Sequence, residues 1–186
     1  YLITLFIVSA LALFCSNRTE DKSLQITEFL ALNKSNLVDS LGKSHDWIEI
    51  YNNGKKELDL SEFYVSDNAN KPQKHKLSGT IAPNSYKLLL ASGMEDMANH
   101  LPFKLDKSGG ELILSSRKGN ILQKITYNQQ IEDVSTAFID GQWNYNITPT
   151  PSKENSQAGL KTNLSEGVAI YFIEQDGQIR AGINSE

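Results

Sequence analysis

From residue 24 to about residue 137, short apolar runs alternate with clusters of turn-forming residues. Residues 24–32 (LQITEFLAL) alternate loosely and predict a first strand. Residues 46–51 (DWIEIY) alternate cleanly, which places Ile48 and Ile50 on one face, because side chains along a strand point to opposite sides. Glu49 and Asn52 are then placed to hydrogen-bond backbone at a strand end, and Asn52-Asn53-Gly54 turns the chain. Residues 63–65 (FYV) predict a third strand closed by 67–70 (DNAN), and Pro83-Asn84 introduces 86–90 (YKLLL). Gly109-Gly110 precedes 111–114 (ELIL), where glycine is expected to supply a positive φ at a hairpin. Lys118-Gly119-Asn120 then turns the chain into residues 121–127. Strands of this length, with turn signals roughly every 8–15 residues, predict an all-β antiparallel sandwich. Only residues 93–100 have helical character, and no fixed period marks a solenoid or propeller.

The two ends read differently. Residues 1–14 (YLITLFIVSALALF) are almost wholly apolar and uncharged. As a helix they rise about 21 Å, short of the roughly 30 Å hydrocarbon core, which suits the apolar stretch of an export signal. Cys15 follows, then a polar tether over 16–23 (SNRTEDKS). An apolar run, a cysteine and a hydrophilic spacer resemble a bacterial lipoprotein signal, which implies lipidation at Cys15 and attachment to a membrane through acyl chains. Phe14 departs from the small residue usual before that cysteine. At the other end, 148–157 (TPTPSKENSQ) has linker composition. Residues 167–174 then form a continuous apolar strand, 175–178 (QDGQ) a tight turn, and 179–183 a further extended run. The organisation expected is a signal over 1–15, a tether over 16–23, a sandwich over 24–147, a linker over 148–165, and the opening of a second domain over 166–186. A chain starting at Tyr1 and stopping inside a strand-like pattern reads as part of a longer protein.

Composition narrows function. A net charge of −4 gives no broad positive field, so nucleic-acid binding would need a local basic patch. The one such patch is 71–76 (KPQKHK), where Lys71, Lys74 and Lys76 are candidate anion contacts. Lysines on an edge strand also serve simply to block aggregation, and weak nucleic-acid contact is not the favoured reading. The single cysteine rules out an intramolecular disulfide.

Several stretches together resemble the lamin tail domain: 46–54 (DWIEIYNNG), 58–61 (LDLS), 64–68 (YVSDN), 79–86 (GTIAPNSY), 103–105 (FKL), 108–112 (SGGEL) and 133–135 (DVS). The resemblance implies an immunoglobulin-like sandwich, of a kind found in nuclear lamins and in many exported bacterial proteins. Glu62 stands where the family usually has glycine, and Thr148-Pro149-Thr150-Pro151 replaces a closing Thr-Pro-Gly segment. Residues 166–183 resemble, over a much shorter stretch, the opening of phospholipase D-like domains. Those use a His-x-Lys motif that this chain lacks, so such an active site would lie past Glu186.

No catalytic residues, metal ligands or cofactor motifs stand out. His45, His75 and His100 fall in separate turn-like regions and read as surface residues. The acidic pairs Glu57/Asp59 and Glu132/Asp133 lack the spacing of a dedicated calcium loop and read as solvated turns. The expectation is a noncatalytic module that binds or tethers, with a protein or surface ligand the sequence does not name. The alternative is the accessory N-terminal part of an exported phosphodiesterase or nuclease.

Overall fold

The computed structural model describes residues 22–95, 97–146, 148–156, 169–175 and 178–184. Its strands are β1 (Leu24–Leu30), β2 (Asp46–Asn52), β3 (Leu58–Asp59), β4 (Phe63–Ser66), β5 (His75–Lys76), β6 (Thr80–Ile81), β7 (Ser85–Ala91), β8 (Gly110–Ser116), β9 (Ile121–Tyr127), β10 (Ser135–Ile139), β11 (Gln142–Asn146), β12 (Ala169–Gln175) and β13 (Gln178–Asn184). A five-stranded antiparallel sheet, in the order β11-β10-β1-β2-β7, faces a four-stranded sheet, β5-β4-β8-β9. A two-stranded ribbon, β3-β6, lies beside them, and β12-β13 forms a separate hairpin. The core is filled by Ile26, Phe29, Ile48, Ile50 and Leu89 from the first sheet and by Val65, Leu112, Leu114 and Ile125 from the second. This is an immunoglobulin-like β-sandwich.

The loose alternation of β1 has a local cause. Its register against β2 shifts between Ile26 and Glu28, so Thr27 is a bulge that flips the facing of everything after it. Leu24 and Ile26 face the core before the bulge, and Phe29 and Ala31 after it. Glu28 and Leu30 therefore face outward. At the bulge Gln123 of β9 takes over the pairing, accepting from Ile26 N at 2.7 Å and donating to Ile26 O at 3.1 Å. One carboxamide thus stitches the two sheets together with the geometry of a backbone ladder. Phe29 packs against Tyr127 and Trp143, with ring centroids 4.9 and 5.9 Å away, and closes the same corner.

The expected pair of glycines divides its work. Gly109 has φ +125°, and a Cβ there would meet the Tyr127 carbonyl at 2.9 Å. Gly110 is needed for clearance instead, since the Tyr127 hydroxyl lies 2.9 Å from where its Cβ would be. The helix expected over 93–100 is absent among the described residues. Gly93 (φ +80°) and Asn99 (φ +63°) interrupt any helical run, and the segment makes turns, with His100 N donating to Met97 O.

Candidate functional site

Strand β2 is buried on both faces: Ile48 and Ile50 on one and Trp47 and Glu49 on the other are all fully covered. What covers the outer face is residues 148–156, the start of the segment read as a linker. Residues 148–156 form a docked strap, and 157–165 lie outside the described residues. Prolines at 149 and 151 contribute no N–H, the amides of Thr148, Thr150 and Ser152 reach side chains of the sheet, and Lys153 N closes a turn on Thr150 O. Thr150 N is 3.2 Å from both carboxyl oxygens of Glu28, and Ser152 N donates to Glu49 Oε2 at 2.6 Å. Asn155 Nδ2 donates to Thr27 O at 2.8 Å and Phe138 O at 3.2 Å.

Glu28 and Glu49 are direct cross-strand partners, and neither is exposed. Thr27 Oγ1 donates to Glu49 Oε1 at 2.8 Å, and Ser135 Oγ donates to Glu28 Oε1. Among the described residues no lysine, arginine or histidine forms an ion pair with either carboxylate. Burial, only partly offset by these hydrogen bonds and reinforced by the negative charge of Glu28, pushes the Glu49 carboxyl up to about 7. Burial raises Glu28 as well.

A second cluster forms at the end of the sandwich where β1 leads into β2. His45 and His100, expected as separate surface residues, meet edge to face with ring centroids 5.6 Å apart. His100 is buried, its Nδ1 2.8 Å from Ser92 Oγ. His45 Nε2 lies 3.0 Å from Asp39 Oδ2, and Asp39 Oδ1 accepts from the amides of Leu41 and Lys43. Those amide bonds, Lys43 first, hold the Asp39 carboxyl below its usual range. Asn33 locks the base of the loop, donating to Leu37 O and His45 O. The result is a braced turn that displays Val38 at 54% and Leu41 at 70% exposure, with Met97 at 40%. An open depression of about 400 Å³ adjoins it, between Ala31-Leu32 and 104–107, with Asp46 in its wall.

A family model described as the Lamin Tail Domain matches residues 17–129, more than half of the 186. The chain belongs to the lamin tail domain family. The family is a noncatalytic immunoglobulin-like domain. No curated protein and no solved structure gives a significant match. The sheet of this lamin tail domain runs on past the matched residues, because β10, at 135–139, lies between β11 and β1.

Within the lamin tail domain the three candidate lysines sit in different surroundings. Lys74 Nζ is held by Asp67 at 2.7 and 3.0 Å, and it sits 5.1 Å above the Phe103 ring. Lys76 lies on the short edge strand β5, and its charge acts on Asp59. Lys71 is in the preceding turn, its amide bonded to Asn68 O. Asp59 Oδ1 caps the 3-10 helix Leu60–Glu62 through Ser61 N. Asp133 accepts from the amides of Lys34 and Ser35. Among the described residues no three His, Cys, Asp or Glu side chains come together as a metal site. Cys15 and the segment before it lie outside the described residues.

The pattern of the chain missed the Glu28–Glu49 pair and the braced turn. The only local signal for the first was a glutamate inside each of two strand patterns. For the second it was Asp39 and Gly42 bracketing Leu41.

Proposed function

We propose that this lamin tail domain is a binding or tethering module of an exported bacterial protein, held at a membrane surface through Cys15. The observation that carries the binding half is the braced turn at 38–43. Exposing leucine and valine to water is unfavourable, and here Asp39, His45 and Asn33 hold them exposed in one conformation. Rigid display of a few apolar side chains is how interfaces concentrate their affinity. The placement suits the reading. β1 begins beside the tether and its seven residues span about 23 Å, so the turn projects from the end away from the tether. Lys34 and Lys43, both exposed, flank the apolar pair and favour a protein partner with an acidic rim around an apolar pocket.

Labelled protein applied to intact bacterial cells is expected to bind saturably, and Val38→Asp/Leu41→Asp is expected to lose at least tenfold in affinity with an unchanged melting temperature. Binding that is unaffected by the double substitution, or that never saturates, rejects the turn as the contact. The anchoring half is tested separately. Cys15→Ala is expected to move the protein from the membrane fraction to the soluble fraction, since acylation supplies about 0.8 kcal/mol per buried CH₂. Retention in the membrane would mean the apolar segment itself is the anchor.

A second reading draws on the hairpin β12-β13, whose seven-residue strands have no other strand beside them among the described residues. In it the lamin tail domain is the accessory part of a phospholipase D-like phosphodiesterase. Two His-x-Lys motifs encoded downstream of Glu186 would favour it, and their absence would dismiss it.

A further inference from the structure

We propose that the Glu28–Glu49 pair and the strap over 148–156 form a proton-operated latch: the docked strap traps one proton on the pair, and losing that proton frees the strap from the sheet. The hydrogen-bond pattern itself calls for an extra proton. Thr150 Oγ1 lies 3.1 Å from Glu28 Oε2 and 2.9 Å from Asn155 Oδ1, two acceptors competing for one hydroxyl hydrogen. Ser135 Oγ faces the same shortage between Glu28 Oε1 and the Asn146 carbonyl. A protonated Glu28 carboxyl relieves it by donating to one hydroxyl, whose own hydrogen is then free for its second acceptor. With both carboxylates ionised, two negative charges face each other across β1 and β2 with no cation among the described residues paired to either.

The remaining charged and titratable groups around the pair do not replace that proton. On β2 and β7 they are Tyr51, Tyr86 and Lys87. Lys87 Nζ turns to Ser78 O, and burial, with the charges of Tyr51, Glu49 and Glu154, raises the Tyr86 phenol to about 12, so it stays neutral. The strap brings Lys153 and Glu154, and both are exposed.

The coupling has a definite sign. Burial raises the Glu49 carboxyl from 4.5 to about 7 although the Ser152 amide lowers it, so the part of that burial supplied by the strap makes the docked state hold the proton more tightly. Proton binding therefore favours docking, and the advantage is full below 4.5 and lost as pH rises through 7. If docking accounts for the whole shift, the docking constant falls about tenfold between pH 6 and pH 8.5. Undocking adds nine residues to whatever follows the domain, up to about 30 Å of reach. The latch thus sets how far the lamin tail domain holds its downstream segment.

The test is amide exchange on the full chain at pH 6 and pH 8.5, corrected for intrinsic rates. Protection of the Thr150 and Ser152 amides is expected to fall about tenfold at the higher pH, while Ile48 and Leu112 stay unchanged. In Glu28→Gln/Glu49→Gln, which keeps acceptors without a charge at both positions, strap protection is expected not to vary with pH. Strap protection that is flat in the wild type, or that falls equally in the double variant, overturns the latch. The reciprocal measurement guards against a misfolded glutamine variant. Ser152 has φ +63°, which proline cannot adopt, and Ser152→Pro also removes the amide that Glu49 accepts. Followed by carbon NMR, Glu49 is expected to titrate near 7 in the wild type and to fall by at least a full unit in Ser152→Pro. An unmoved titration would show that the strap does not control the proton.

Discussion

Replacing Asn52 by alanine is expected to destabilise the domain by about 3 kcal/mol, more than a polar-to-apolar change at a strand end usually does. Asn52 is fully buried where β2 ends. Its Nδ2 serves three carbonyls, Lys56 O at 2.8 Å and Ile81 O and Ala82 O at 3.1 Å. Its Oδ1 accepts from Gly54 N at 2.9 Å and fixes the turn. Alanine leaves these backbone groups without partners, and each buried, unpaired polar group costs about 1–3 kcal/mol. Asn52→Asp is the sharper control, because it keeps the size and the Gly54 bond while aiming a carboxylate at three carbonyls. It should cost at least as much as alanine near neutral pH and recover part of the loss below pH 4. A loss under about 1 kcal/mol for alanine in urea melts would mean that water replaces the amide and the β2–β6 junction does not depend on it.

The other large effect belongs to Ile50. It is fully buried between the sheets, opposite Ile26 on β1 and Lys87 on β7 in register. Truncation to alanine removes buried methylenes and leaves a cavity that a rigid two-sheet interior cannot collapse around, which costs about 2–5 kcal/mol. Leu41→Ala, at 70% exposure on the braced turn, is expected to change stability by no more than about 0.5 kcal/mol. Measured side by side in urea, the two leucine-sized deletions separate core from display. A cost below about 0.5 kcal/mol for Ile50→Ala would place that face of β2 outside the core.

Much of the sandwich is legible in the sequence. Strict alternation over 46–51 identified the inward pair Ile48 and Ile50, because a period of two has only one reading on a pleated strand. Gly109 declared its own positive φ, since residues with a Cβ avoid that region. The irregular pattern of residues 24–32 recorded the bulge at Thr27 without saying where it lay. The strands β10 and β11 were harder to see. Their Asp140-Gly141 turn, with φ of +52° and +82°, carried the signal of a tight hairpin.

The candidate site behaved differently. Glu49 reads as a hydrogen-bond partner for backbone at a strand end, with nothing to say that the backbone is that of Ser152, and Thr-Pro-Thr-Pro-Ser reads as a linker. Both readings follow from local preferences alone. The sequence by itself determined which residues extend, where the chain turns and which face of each strand is apolar, because those follow from torsions and side-chain alternation within a few residues. Tertiary structure alone decided that residues 148–156 return across β1 and β2 to bury Glu28 and Glu49, and that His45 and His100 meet. Those contacts join parts of the chain far apart in sequence, as Thr150 with Glu28 and Ser152 with Glu49. The protonation of a carboxyl depends on the dielectric and charges around it in space, and no local pattern of residues records them.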